Sequence, residues 1–166
     1  MSIDVVFTPN DYDGNRPDFC KLLTSVGIKH TISMINDGTN AQISVDDVKL
    51  IKIFPFLKDP CRWCILYNCI DSLEYLLKQI DPVKIKPEWL FLAVRCINLD
   101  AVHLLVKYKV NVQAILNCTM KDIHHGYMEK NSFNILQYAS RYALDNGPLG
   151  VRIYHYLESV YKFKHA

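Results

Sequence analysis

No apolar run in this sequence of 166 residues reaches the roughly 18 residues a bilayer span requires. A membrane-spanning helix is therefore not expected. The opening residues, MSIDVVFTPND, lack the basic start and long apolar stretch of a secretory signal. The expectation is an intracellular protein, cytoplasmic or nuclear, whose six cysteines stay reduced. A basic block is missing too. Nineteen Lys and Arg oppose seventeen Asp and Glu, a net charge of +2. Lysines cluster only at Lys84/Lys86 and Lys162/Lys164. Each cluster reads as a solvated face, so nucleic acid is not an expected partner. There is no P-loop, GxGxxG, HExxH or EF-hand spacing. No cofactor is indicated by any of these absences.

A second cysteine pair is also lacking. Cys61 and Cys64 form one C-x-x-C, with Cys69 five residues on. Structural zinc usually takes four ligands from two separated pairs, and His124 and His125 are far away with only Cys118 near. Cys64, Cys69 and Cys96 fall inside apolar helical runs and read as small core residues. Cys61 opens a helix. Zinc or a Cys-dependent enzyme using Cys61/Cys64 stays as the alternative class, although no nucleophile motif surrounds any cysteine.

What the chain does contain is helix pairs. Half its residues are hydrophobic, enough for a core. In DPCRWCILYNCIDSLEYLLKQIDPV, Asp59 can cap a helix with Pro60 at its first position, and Asp71 can cap a second. In LFLAVRCINLDAVHLLVKYKVNVQA, Pro87 precedes a stripe of Leu90, Ala93, Val94 and Ile97. Asn98 then caps a stripe of Leu99, Val102, Leu105 and Val106. Leu76-Leu77 recurs 28 residues on as Leu104-Leu105. A looser copy follows. Ser132 caps a helix burying Ile135, Leu136 and Ala139, Asn146-Gly147 breaks the chain, and Pro148 opens a last helix with Val151, Tyr154 and Leu157 on one face. Such helices are too short to stand alone in water and must stack. The crowded tyrosines of the last copy, Tyr138, Tyr142, Tyr154, Tyr156 and Tyr161, read as core and end cap.

Residues 90–114 resemble the second part of an ankyrin repeat. Leu90, Leu92, Ala93, Arg95, Leu99, Val102, Leu104, Leu105, Val112 and Ala114 match the family pattern without a gap. Asp13, Gly14 and Pro17 resemble its turn-and-entry motif, with Arg16 where Thr is usual, and the segment 34–41 resembles the end of a repeat. The resemblance implies an all-α ankyrin-repeat solenoid of about four degenerate repeats with irregular loops. It covers one domain, 1–166, with repeats near 10–42, 43–85, 86–115 and 131–164 and an inserted loop near 116–130. Two departures concern glycine. Ile97 and Lys109 stand where the family places the glycines that end each helix, positions suited to a left-handed backbone. Ser44 with Asp47 reads as a capping box for an extra helix ending near Pro55, and Asp46-Asp47 as first-turn chemistry. A second reading of the start stays open: IDVVFTP, KHTISMIN and AQISV are β-branched, and Asp37-Gly38 can turn a hairpin.

The family's contacts come from turn tips and exposed positions of first helices. Carried onto this chain, they fall at Arg95, Cys96 and Tyr108, at Tyr67 and Asn68, at the tips Asn15, Arg16 and Asn40, and at His124, Tyr127 and Met128 of the inserted loop. Tyr67, Arg95 and Tyr127 are of types enriched at hot spots. His103 reads as a surface residue. The expected function is non-catalytic: an adaptor or inhibitor that binds a cellular signalling protein. Short, degenerate members of this kind are similar to those with which large DNA viruses and intracellular bacteria act on host cells. A self-associating homodimer is the alternative within the binding class.

Overall fold

A computed structural model describes residues 2–7, 30–35, 38–46, 54–55, 57–121 and 128–165. These residues are mostly helical, with two antiparallel sheets. Among them no helix is long and apolar enough to cross a membrane. The chain divides into two compact units, residues 1–76 and 77–166.

The first unit opens with strands β1 (Ser2–Phe7), β2 (His30–Ile35) and β3 (Gly38–Asp46) in the order β1-β3-β2, all antiparallel. Ile35 pairs with Gly38 across a two-residue connection, the shortest hairpin. An ankyrin-type first repeat over 10–42 is thus corrected at residues 30–35 and 38–42, which are strand; residues 10–29 lie outside the described residues. The β-branched runs prevail because alternating side chains suit a pleated sheet better than a helix. Ser44 and Asp46 lie in β3 opposite Asp4 and Ser2, so neither serves a helix start.

Helix α1 (Pro60–Leu66) begins where the sequence predicts. The Arg62 N–H donates to the Asp59 carboxylate at 3.0 Å, and Pro60 occupies the first turn. Trp63, Cys64 and Ile65 are buried, and the Trp63 ring lies 4.9 Å from that of Tyr67. The helix stops at Asn68, whose φ is +56°. The Cys69 N–H then reaches back to the Cys64 carbonyl at 2.8 Å, the bond that closes a Schellman turn. Helix α2 (Ile70–Gln79) follows directly, with Asp71 in its first turn rather than at the cap. There the carboxylate meets the positive end of the helix dipole.

The second unit holds α3 (Pro87–Arg95), α4 (Leu99–Lys107), α5 (Ile135–Tyr142) and α6 (Gly147–His165). Helices α3 and α4 pack as one pair and α5 and α6 as another; α3 also packs on α5, and α4 on α6. Trp89, Leu90, Phe91, Ala93 and Val94 make α3 apolar on most of its circumference, as a helix covered on several sides requires. Asn98 caps α4: the Ala101 N–H donates to its side-chain oxygen at 3.1 Å. Ala101, Val102 and Leu105 are buried below it.

The joints of the first pair repeat the turn after α1. Ile97 and Lys109 have φ of +54° and +73°. Behind them Asn98 N–H donates to the Ala93 carbonyl at 2.9 Å and Val110 N–H to the Leu105 carbonyl at 3.0 Å. The turns form although neither residue is glycine. The links after α2 and α4 share a second device. Val83 N–H donates to the Asp81 carboxylate at 3.2 Å, and Gln113 N–H to the Asn111 side chain at 3.0 Å, both local turns by an acidic or amide side chain.

Three expectations for the last pair are corrected. The inserted loop expected near 116–130 is not irregular throughout: β4 (Leu116–Lys121) pairs antiparallel with β5 (Met128–Phe133), so the chain is not all-α. Ser132 belongs to β5, where its hydroxyl donates to Asn117 at 2.6 Å. The cap of α5 is Asn134, which exchanges hydrogen bonds with Gln137 at 2.8 and 2.9 Å in a capping box. In α6 the buried face is Gly150, Ile153 and Leu157, while Val151 is exposed and Tyr154 half-buried. A methyl group at Gly150 would overlap the Ala143 carbonyl, so close approach of backbones selects this face.

Candidate functional site

The C-terminal ends of α3 and α5 lie together, and aromatic rings join them. Phe91 meets Tyr138 edge-on at 5.1 Å. The Tyr138 ring lies 4.6 Å from that of Tyr142, tilted by 49°, and Phe133 approaches both rings. Above this cluster sit two guanidinium groups. Arg95, the last residue of α3, stands 4.0 Å from the centre of the Tyr142 ring, and Arg141, from α5, 5.8 Å from the same centre. Both arginines are exposed, and Tyr142 is half-buried. Partial burial acts to lower the pKa of Arg95. Hydrogen bonding to Tyr142, with the phenols of Tyr138 and Tyr142 close by, outweighs it and leaves the guanidinium raised. The group is a fixed, permanent cation on an aromatic base.

The residues expected to bind a partner fall on several different elements. Arg95 lies in the cluster just described. Cys96 is the exposed C-cap of α3 beside it, not the core residue its apolar run suggests. Tyr108 is the half-buried C-cap of α4, with the Lys107 ammonium 5.5 Å from its ring. Tyr67 is spent partly on Trp63, and Asn68 is an exposed turn residue in the first unit. Asn40 is no turn tip: it sits within β3 opposite Ser33. Met128 is the first residue of β5, paired with Lys121. Asn15, Arg16, His124 and Tyr127 lie outside the described residues. His103 is exposed on α4, its ring 4.4 Å from that of Tyr156 on α6.

Arg141 and Tyr142 were not picked out as contact residues. A signal was present. Arg141 follows Arg95 by 46 residues, the spacing that separates Leu90 from Leu136. Applying the repeat register to Arg95 leads to it. The pairing of Arg95 with Tyr142 has no such signal, because it depends on how closely α3 and α5 approach.

Cys61, Cys64 and Cys69 do not form an accessible centre. Cys61 and Cys64 are 2% and 0% exposed, and Cys69 is buried. Among the described residues no group of three or more His, Cys, Asp or Glu could hold a metal ion. No protein-family model, curated protein or solved structure matches the chain.

Proposed function

We propose that this chain is a non-catalytic protein-binding module built on an ankyrin-like stack of helix pairs. The observation that carries the reading is the packing of the second unit. First helix lies on first helix, α3 on α5, and second on second, α4 on α6. In such a stack the buried faces supply the stability, and exposed first-helix positions are free to vary. The left-handed joints at Ile97 and Lys109, where ankyrin repeats place glycine, support the same reading. The exposed ends of α3 and α5 are the proposed contact surface, and a cellular protein is the proposed partner.

The test is affinity capture from cell lysate with three forms of the full chain. Cys96→Gln/Ser140→Gln adds bulk without charge at exposed positions of α3 and α5. Asp100→Asn/Lys107→Gln changes exposed positions of α4. Circular dichroism checks that each variant folds. The expected result is a saturable partner lost from the first variant and kept by the second. Equal recovery by all three would refute the proposed surface, and a concentration-dependent dimer by light scattering would favour self-association.

A further inference from the structure

Resting on that reading, we propose that the paired arginines over Tyr142 form a docking site for an acidic peptide segment of the partner protein. Two observations carry this. Arg95 and Arg141 both approach one ring, at 4.0 and 5.8 Å from its centre, and both are exposed. Among the described residues neither arginine forms an ion pair, although the chain as a whole carries seventeen acidic side chains against nineteen basic ones. An anion that approaches this ring therefore meets two cations. A carboxylate suits both guanidinium groups, because the planar fork of N–H donors matches its two oxygens. The aromatic base keeps Arg95 from wandering, so less side-chain freedom is lost on binding. The two arginines come from different helix pairs. The site therefore exists only when α3 and α5 are stacked.

Fluorescence anisotropy on the full chain tests the inference with three labelled probes. These are a short poly-glutamate peptide, a poly-glutamine peptide of the same length, and a single-stranded RNA of the same net charge. Poly-glutamate is expected to bind saturably and to weaken as salt rises, with poly-glutamine not binding. Arg141→Ala is expected to weaken it about fivefold with an unchanged urea midpoint, since one exposed charge contact is lost. Arg95→Lys keeps the charge but loses the fork, and about threefold weakening is expected. No saturable binding, or equal binding by Arg141→Ala, would overturn the inference. RNA binding as tight as poly-glutamate would also overturn it, in favour of a backbone-phosphate surface. Lysate capture separates this failure from that of the broader proposal. A partner lost from Cys96→Gln/Ser140→Gln but kept at full yield by Arg141→Glu removes the acidic segment alone. A partner kept by both removes the contact surface as well.

Discussion

Glycine at position 109 should leave the protein more stable than alanine does there, although glycine is the residue type with the most backbone freedom to lose. Lys109 is exposed and holds φ at +73°. In that region the Cβ of an L-residue crowds its own backbone at a cost of about 1–2 kcal/mol. Glycine removes the crowding but loses more backbone freedom on folding, about 0.5–1 kcal/mol. The difference favours glycine by about 0.5–1 kcal/mol. Lys109 also places a cation near the C-terminus of α4, where the dipole favours it by about 0.3–1 kcal/mol at an exposed position. Lys109→Ala loses that charge too, yet keeps the Cβ. The informative comparison is therefore Gly against Ala at this position, read as urea midpoints or as melting temperatures. For a chain of this size the glycine variant should melt about 1–4 °C above the alanine variant. Both turn hydrogen bonds, Lys109 N–H to Val106 at 3.1 Å and Val110 N–H to Leu105 at 3.0 Å, are main-chain bonds that either variant retains. If the alanine form proves equally stable or more stable, Lys109 is not strained and the left-handed joint is not the cause of the effect.

Gly150→Ala should destabilise by about 1–3 kcal/mol in the same assay, because its new methyl meets the Ala143 carbonyl and must push α6 off α5. Gly147→Ala meets nothing within 4 Å, and its loss of about 1 kcal/mol comes from its φ of +78° alone. Asn98→Ala should cost about 1–2 kcal/mol by leaving the Ala101 N–H without its side-chain acceptor, while Asn98→Asp restores most of the loss. Mass-spectrometric mapping of brief thiol alkylation should find Cys96 modified in the native protein. Cys61, Cys64 and Cys69 should react only as urea unfolds it, because reagent cannot reach buried sulfur.

Much of the helical part of the chain was legible in the sequence because its signals are local. Asp59 and Asn98 cap helices within three residues of themselves, and Pro60 and Pro87 fall in first turns. The Leu76-Leu77 and Leu104-Leu105 pairs each bury their second member, as helical spacing implies. Local signals also misled where two competed. Ser132 and Asn134 are both good caps, and only the ladder that claims Ser132 for β5 decides between them. Val151 and Ile153 both suit a helical stripe in α6, and the small size of Gly150 turns the helix toward Ile153. Of the expected contact residues, Arg95 and Cys96 emerged beside one another, while Asn40 was taken into a strand.

By itself the sequence determined where α1, α3 and α4 begin, since a cap and a proline act over a single turn. Tertiary structure alone decided that Ser2–Phe7 pairs with Gly38–Asp46, that Ile97 and Lys109 accept a conformation their side chains disfavour, and that Arg95 comes to rest on Tyr142. Each of these outcomes is settled by partners distant in the chain. Strand ladders need a second strand, strained turns need the packing of whole helices to hold them, and a cation over a ring needs two helix pairs to meet at one spacing.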